Sequence, residues 1–213
     1  MIVDERMAAF INSFATANSE KLDELETYSL ETNVPIVRKE MQTLMKFLLS
    51  MKKPLSILEV GTAIGFSAVL MAENTSKETR ITTIENYEKR IPLAKKNFDD
   101  FGISDRVTLI EGDATEVLKT LDGPYDFIFM DAAKGQYINF FPEIMRLLAP
   151  EGILLSDNVM QDGDILESRY AVERRNRTIY ARMRDYLYEL THNEKLQTVI
   201  LPVGDGVTIS YRK

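Results

Sequence analysis

The sequence predicts an α/β fold: a doubly wound, mostly parallel seven-stranded sheet that ends in an antiparallel hairpin. Three observations predict it. From Leu55 onward, short apolar runs alternate with amphipathic segments about one helix long, the pattern of repeated βα units. A glycine-containing turn, Gly61 to Gly65, follows the first run and opens a helical segment. The last two strand-like runs are joined only by Pro202-Val203-Gly204-Asp205-Gly206, far too short for a parallel crossover.

In chain order, Met7, Phe10, Ile11 and Phe14 fall at helical spacing, and Met41, Leu44, Met45 and Leu48 repeat it. Two amphipathic helices are therefore expected on either side of a polar stretch, Asn18 to Asn33. Residues 1–53 read as a helical extension, and 54–213 as the core of one domain. Strands are expected at Ser56–Val60, Arg80–Glu85, Val107–Glu111, Phe127–Asp131 and Ile153–Ser156, with the hairpin at Thr198–Leu201 and Val207–Tyr211. Between them, Ile91, Ala94 and Phe98, then Phe140, Phe141, Ile144, Leu147 and Leu148, carry helical spacing.

Composition narrows the function classes. With 45% hydrophobic and 28% charged residues among 213, the chain is of globular type and long enough for a sizeable core. No cysteine is present, which excludes disulfides, thiolate metal sites and cysteine nucleophiles. No apolar run approaches a membrane span and the acidic N-terminus lacks a signal-like segment, so a cytoplasmic protein without a membrane partner is expected. The net charge of −7 argues against indiscriminate phosphate binding.

In a parallel sheet every strand delivers its C-terminal residues to one edge, where open α/β sheets bind ligands. Here that edge receives Gly61 and Thr62 after the first strand, Glu85 after the second, and Asp113 and Ala114 after the third. A glycine turn brings backbone close to a ligand, Glu85 suits ribose hydroxyls, and Asp113 suits an adenine amine. NAD and S-adenosylmethionine both carry those groups. The Gly-x-x-x-Gly spacing lacks the pyrophosphate-binding G-x-G-x-x-G, so a ligand with ribose and adenine but no phosphate fits better.

Strand four ends in Asp131-Ala132-Ala133-Lys134 and strand five in Asp157-Asn158. Each aspartate alone reads better as a helix cap. As a set, two carboxylates, an amide and an amine suit Mg²⁺, Mn²⁺ or Ca²⁺ beside a general base. That is the equipment for turning a hydroxyl into an oxyanion nucleophile in methyl transfer.

Glu59-Val60-Gly61-Thr62-Ala63-Ile64-Gly65-Phe66-Ser67, Asp131-Ala132-Ala133-Lys134-Gly135-Gln136-Tyr137, Asp157-Asn158-Val159 and Pro202-Val203-Gly204-Asp205-Gly206 together resemble the cation-dependent class I O-methyltransferases, the family of catechol and caffeoyl-CoA O-methyltransferases. The resemblance spans essentially the whole chain. It implies a Rossmann-like methyltransferase fold, S-adenosylmethionine as cofactor, and a homodimer. It also implies Asp131, Asp157 and Asn158 as metal ligands, Lys134 as general base, and Val37, Ser67, Glu85, Asp113 and Ala114 as cofactor contacts, with Asp131 serving both metal and cofactor pocket. Phe66 replaces a common tyrosine. No tryptophan follows Asp157-Asn158, which weakens a phenylpropanoid-CoA acceptor.

Between Arg169 and Arg184, six arginines and one glutamate leave a segment at +5, so the remaining chain carries −12 within the total of −7. On a helical wheel Val172, Ile179, Met183, Tyr186 and Leu190 share a face, Arg174, Arg177 and Arg184 point away from it, and Arg175 and Arg182 flank it. These five arginines are candidate contacts to a nucleic-acid substrate. With the Asp-Ala-Ala-Lys-Gly-Gln-Tyr run and the Pro-Val-Gly-Asp-Gly end, the chain is most similar to bacterial tRNA 5-hydroxyuridine methyltransferases, which implies a wobble uridine as acceptor. The acidic loop Met160 to Asp164 runs against that acceptor. The alternatives are a small catechol acceptor, an NAD-dependent dehydrogenase with His192 as its sole histidine, and a non-catalytic RNA-binding module.

Overall fold

The computed structural model describes residues 3–213. The five central apolar runs form parallel strands β1 (Ser56–Val60), β2 (Arg80–Glu85), β3 (Val107–Glu111), β4 (Tyr125–Met130) and β5 (Leu148–Ser156). The hairpin forms β6 (Leu196–Leu201) and β7 (Val207–Arg212), with β7 inserted antiparallel between β5 and β6. The sheet order is β3-β2-β1-β4-β5-β7-β6. The fourth and fifth strands begin earlier than their apolar runs because Tyr125 and Leu148 already pair across an irregularity in the ladder.

Alternation along the buried strands divides the core between two faces. Ile57, Phe127, Phe129 and Leu155 meet helices α3 (Lys39–Lys52), α4 (Phe66–Glu73) and α5 (Ile91–Asp100) through Met45, Leu49, Val69 and Phe98. Leu58, Ile128, Met130 and Leu154 meet α6 (Ala114–Thr120), α7 (Tyr137–Leu147) and α8 (Arg177–His192) through Leu118, Ile144, Met183 and Tyr186. The amphipathic N-terminal segment forms α1 (Glu5–Asn12), which buries none of its residues; Phe10 and Phe14 remain exposed.

Two expectations are corrected. The polar stretch Asn18 to Asn33 contains a helix, α2 (Glu20–Glu31). Ser19 caps it by accepting the Leu22 N–H, and only Leu22, Leu25 and Ser29 are buried. The third inward position is a serine that satisfies itself by donating to the Leu25 carbonyl at 2.6 Å, so the apolar period is invisible in composition. The arginine-rich segment is not one helix. Val172 precedes α8, Arg174–Asn176 form a separate 3-10 turn, and Tyr180 rather than Ile179 is fully buried.

The sheet order reverses between β1 and β4, which opens a crevice at the C-terminal edge. The parallel ladder runs one residue beyond the strands: Asp131 N–H donates to Val60, Asp157 N–H to Met130, Gly61 N–H to Ile84 and Gly112 N–H to Glu85. The residue after each of these strands is thus tied to the neighbouring strand by one further ladder hydrogen bond.

Candidate active site

The crevice contains a cleft of about 370 Å³. Val37, Gly61, Thr62, Ser67, Glu85, Asp113, Ala114 and Asp131 all line it, so every residue expected to meet a cofactor reaches one cavity. Glu85 accepts the Ala63 N–H at 2.7 Å on one oxygen and the Asn86 and Tyr87 N–H groups at 2.9 Å on the other. Its carboxylate is thereby oriented with lone pairs to spare. Asp113 accepts the Thr115 N–H at 2.7 Å as the N-cap of α6, and that bonding holds its carboxyl below the usual range.

Beneath the cleft lies a carboxylate that sequence reasoning passed over. Glu59, wholly buried at the end of β1, accepts hydrogen bonds from Ser67 and Thr83, and Thr83 pairs in turn with Thr62. Burial pushes its carboxyl up to about 7 against the pull of those two hydroxyls. Ser67 and Thr62 reach the cleft with their hydroxyls already oriented by this network.

A second cavity of about 200 Å³ adjoins the first and shares Pro35, Ile36 and Asp131 with it. Its polar wall is Asp131, Asp157, Asn158, Asp205 and Arg38. Asn158 reaches across from β5 to β4, its amide donating to Asp131 at 3.1 Å, and holds a left-handed φ of 58° to do so. Burial raises the carboxyls of Asp131 and Asp157, and the charge of Asp131 helps lift Asp157 to about 7. Two carboxylates and a carboxamide are hard oxygen donors of the kind a divalent cation takes, and a cation would relieve the burial that raises both acids. Among the described residues no group of three or more His, Cys, Asp or Glu side chains is gathered for a metal, so Asn158 and non-protein oxygens would have to complete its shell.

Lys134 stands at the start of a 3-10 turn, Lys134–Gln136, with its Nζ 3.1 Å from Asp205. Asp205 was not among the expected site residues although its turn was noted. It lies 71 residues beyond Lys134 in the chain, and only the placement of β7 beside β5 brings it here. Tyr137, buried behind the pocket, sets its hydroxyl 3.2 Å from the Met130 carbonyl and 3.1 Å from that of Asp157, and accepts the Ala132 N–H. It ties the ends of β4 and β5 together.

The five candidate arginines separate into two groups. Arg177 does not point away free; it donates to the carbonyls of Val172 and Tyr170. Arg184 likewise donates to the Ile165 carbonyl and to Tyr180, and Arg182 to the Gly135 carbonyl. Each of these forks thus has a protein acceptor, although Arg182 and Arg184 remain exposed. Arg174 and Arg175 are exposed, Arg175 beside Glu173, and Tyr170 nearby is 89% exposed.

A family model described as O-methyltransferase matches residues 12–213. The chain belongs to the O-methyltransferase family. Among curated members, it is 37% identical to a catechol O-methyltransferase of Niastella koreensis over 53% of this chain and 52% of that protein. It is 30% identical to caffeoyl-CoA O-methyltransferase 5 of Nicotiana tabacum over 79% and 73%. The aligned region thus spans about half the length of the first of these relatives. Among solved structures, a Staphylococcus aureus protein provisionally called a caffeoyl-CoA O-methyltransferase superposes with a TM-score of 0.89 at 33% identity, covering 99% of this chain and 100% of that one. A methyltransferase of Podospora anserina, solved with S-adenosylhomocysteine, gives 0.87 at 30% identity over 98% and 94%. The dehydrogenase alternative does not survive this membership. No helix among the described residues is long and apolar enough to cross a membrane.

Proposed function

We propose that this O-methyltransferase takes S-adenosylmethionine in the larger cleft and methylates a hydroxyl held in the smaller cavity, the acceptor being 5-hydroxyuridine in tRNA. The observation that carries the chemistry is the shared wall: Asp131 lines both cavities, so a cofactor in one and an acceptor in the other would meet beside it. The bound Podospora relative supports the choice of cofactor.

Asp131, Asp157 and Asn158 would hold Mg²⁺, with Mn²⁺ or Ca²⁺ as substitutes, and such an ion would supply the positive charge that favours an ionised acceptor oxygen. Lys134 accepts the hydroxyl proton. The acceptor oxygen then forms its C–O bond as the methyl–sulfur bond breaks, leaving S-adenosylhomocysteine and the proton on Lys134. Glu85 orients the ribose, while Ser67 and Thr62 present hydroxyls set by Glu59. Pro35 and Ile36 line both cavities, and their apolar side chains would limit the water beside the reacting atoms.

For the tRNA acceptor, the support is Tyr170 with Arg169, Arg174 and Arg175, an exposed aromatic among exposed guanidinium groups, one of them beside Glu173, in the segment that follows Asp157-Asn158. The catechol alternative is favoured by the Niastella relative. Incubation with methyl-labelled S-adenosylmethionine, Mg²⁺ and either hydroxylated tRNA or catechol separates them; label in catechol alone would reject the tRNA acceptor. The exposed apolar residues of α1, of the turn after it and of α3, Phe10, Phe14, Phe47 and Met51, support a homodimer, which sedimentation would test.

A further inference from the structure

Asp205 sits in the β6–β7 turn with 4% of its surface exposed, and its two oxygens are committed to different parts of the site. One accepts a hydrogen bond from Lys134 Nζ at 3.1 Å, and the other accepts the Asp162 N–H at 2.7 Å. A buried carboxylate so placed is costly to keep unless both partners are present. Its turn is also seated on the loop that follows the Asp157-Asn158 pair: Val159 N–H donates to Gly206 and Met160 N–H to Asp205. Gly206, at φ 79°, lies so close that a Cβ there would come 2.2 Å from Met160 Cγ. Asn158, Gln161, Asp162 and Gly163 all have positive φ, so this loop needs an external splint to hold its shape.

We propose that Asp205 is the positioning residue for Lys134. Its carboxylate aims the amine at the acceptor hydroxyl, compensates the ammonium that forms when the proton arrives, and couples the amine's place to that of the Asn158–Asp162 loop. The backbone of Lys134 is held by contacts that do not involve Asp205: its 3-10 turn is closed by the Gln136 N–H on the Ala133 carbonyl, and Arg182 donates to the Gly135 carbonyl. Asp205 therefore controls the flexible side-chain stem, where four rotatable bonds would otherwise scatter the nitrogen.

The inference rests on Lys134 being the base, so the test is a double-mutant cycle on the full-length chain with S-adenosylmethionine, Mg²⁺ and whichever acceptor it methylates. Asp205→Asn keeps the shape and one acceptor oxygen but removes the charge. It should lower kcat roughly tenfold to a hundredfold, leave the affinity for S-adenosylhomocysteine within about twofold, and be partly rescued by Asp205→Glu. In a Lys134→Ala background the same change should have little further effect, because its route to the chemistry is gone. An equal fall in both backgrounds would show a splint only and overturn the proposal, as would unchanged turnover in the single variant. If Lys134→Ala itself retains full turnover, the base assignment fails instead, and the two failures are told apart.

Discussion

A Cβ on Gly61 would lie 2.1 Å from the carbonyl oxygen of Asp131. The turn after β1 is therefore wedged against the end of β4, and the cofactor cleft and the acidic pocket are set relative to each other by a backbone contact. At φ 103° no L-residue sits without strain. Gly61→Ala should cost on the order of 2–4 kcal/mol in urea unfolding and abolish S-adenosylhomocysteine binding by calorimetry. A variant with normal binding would mean that the strand ends are free to separate.

Lys134→Ala should reduce kcat by about 10² to 10⁴ while the affinity for S-adenosylhomocysteine stays unchanged, since the amine is bonded to Asp205 and not to the cleft residues. Single-turnover rates alongside equilibrium binding will show whether the two effects separate.

With Asp157 raised to about 7, a proton competes for its carboxylate near neutrality. Millimolar Mg²⁺ should then raise the melting temperature more at pH 8, where Asp157 is ionised, than at pH 6, where it is largely protonated. Asp157→Asn should shrink the shift at pH 8. Equal shifts at both pH values in the parent chain would remove Asp157 from the ligand set.

Glu59 has a folded-state value of about 7 against an ordinary 4.5, so between those limits the folded protein holds a proton that the unfolded chain has lost. Its contribution to stability is most favourable below about pH 4.5, declines as pH rises to about 7, and then levels off. Glu59→Gln should be more stable relative to the parent at pH 8 than at pH 5.5, by on the order of 1–3 kcal/mol. Urea titrations at the two pH values would measure it, and an identical difference at both would show that Glu59 does not titrate there.

The arginines should divide by structure. Arg182→Ala frees the Gly135 carbonyl beside Lys134 and should lower turnover on any acceptor. Arg174→Ala and Arg175→Ala should weaken tRNA binding and flatten its salt dependence, by about one unit of slope each, while a small acceptor is methylated as before. Filter binding across a salt series distinguishes these outcomes.

Legibility in the sequence followed how local the cause was. The strand-end residues Gly61, Glu85, Asp113, Asp131 and Asp157 could be assigned to one edge because parallel strands leave no other arrangement. Helix α2 was hidden because Ser29 occupies an inward position and closes its hydrogen bond within its own turn. Arg177, Arg182 and Arg184 looked like a charged surface because their partners are backbone carbonyls, which carry no residue-type signal.

By itself the sequence determined the α/β class, the direction of the strands and the set of groups along the sheet edge, all of which depend on periodicity and chain direction. Only the tertiary structure decided that Asp205 meets Lys134, that Glu59 underlies the cleft through Ser67 and Thr83, and that three arginines brace loops. Those contacts join residues far apart in the chain, and whether a charge faces solvent, a carbonyl or another charge is settled by packing of the whole fold.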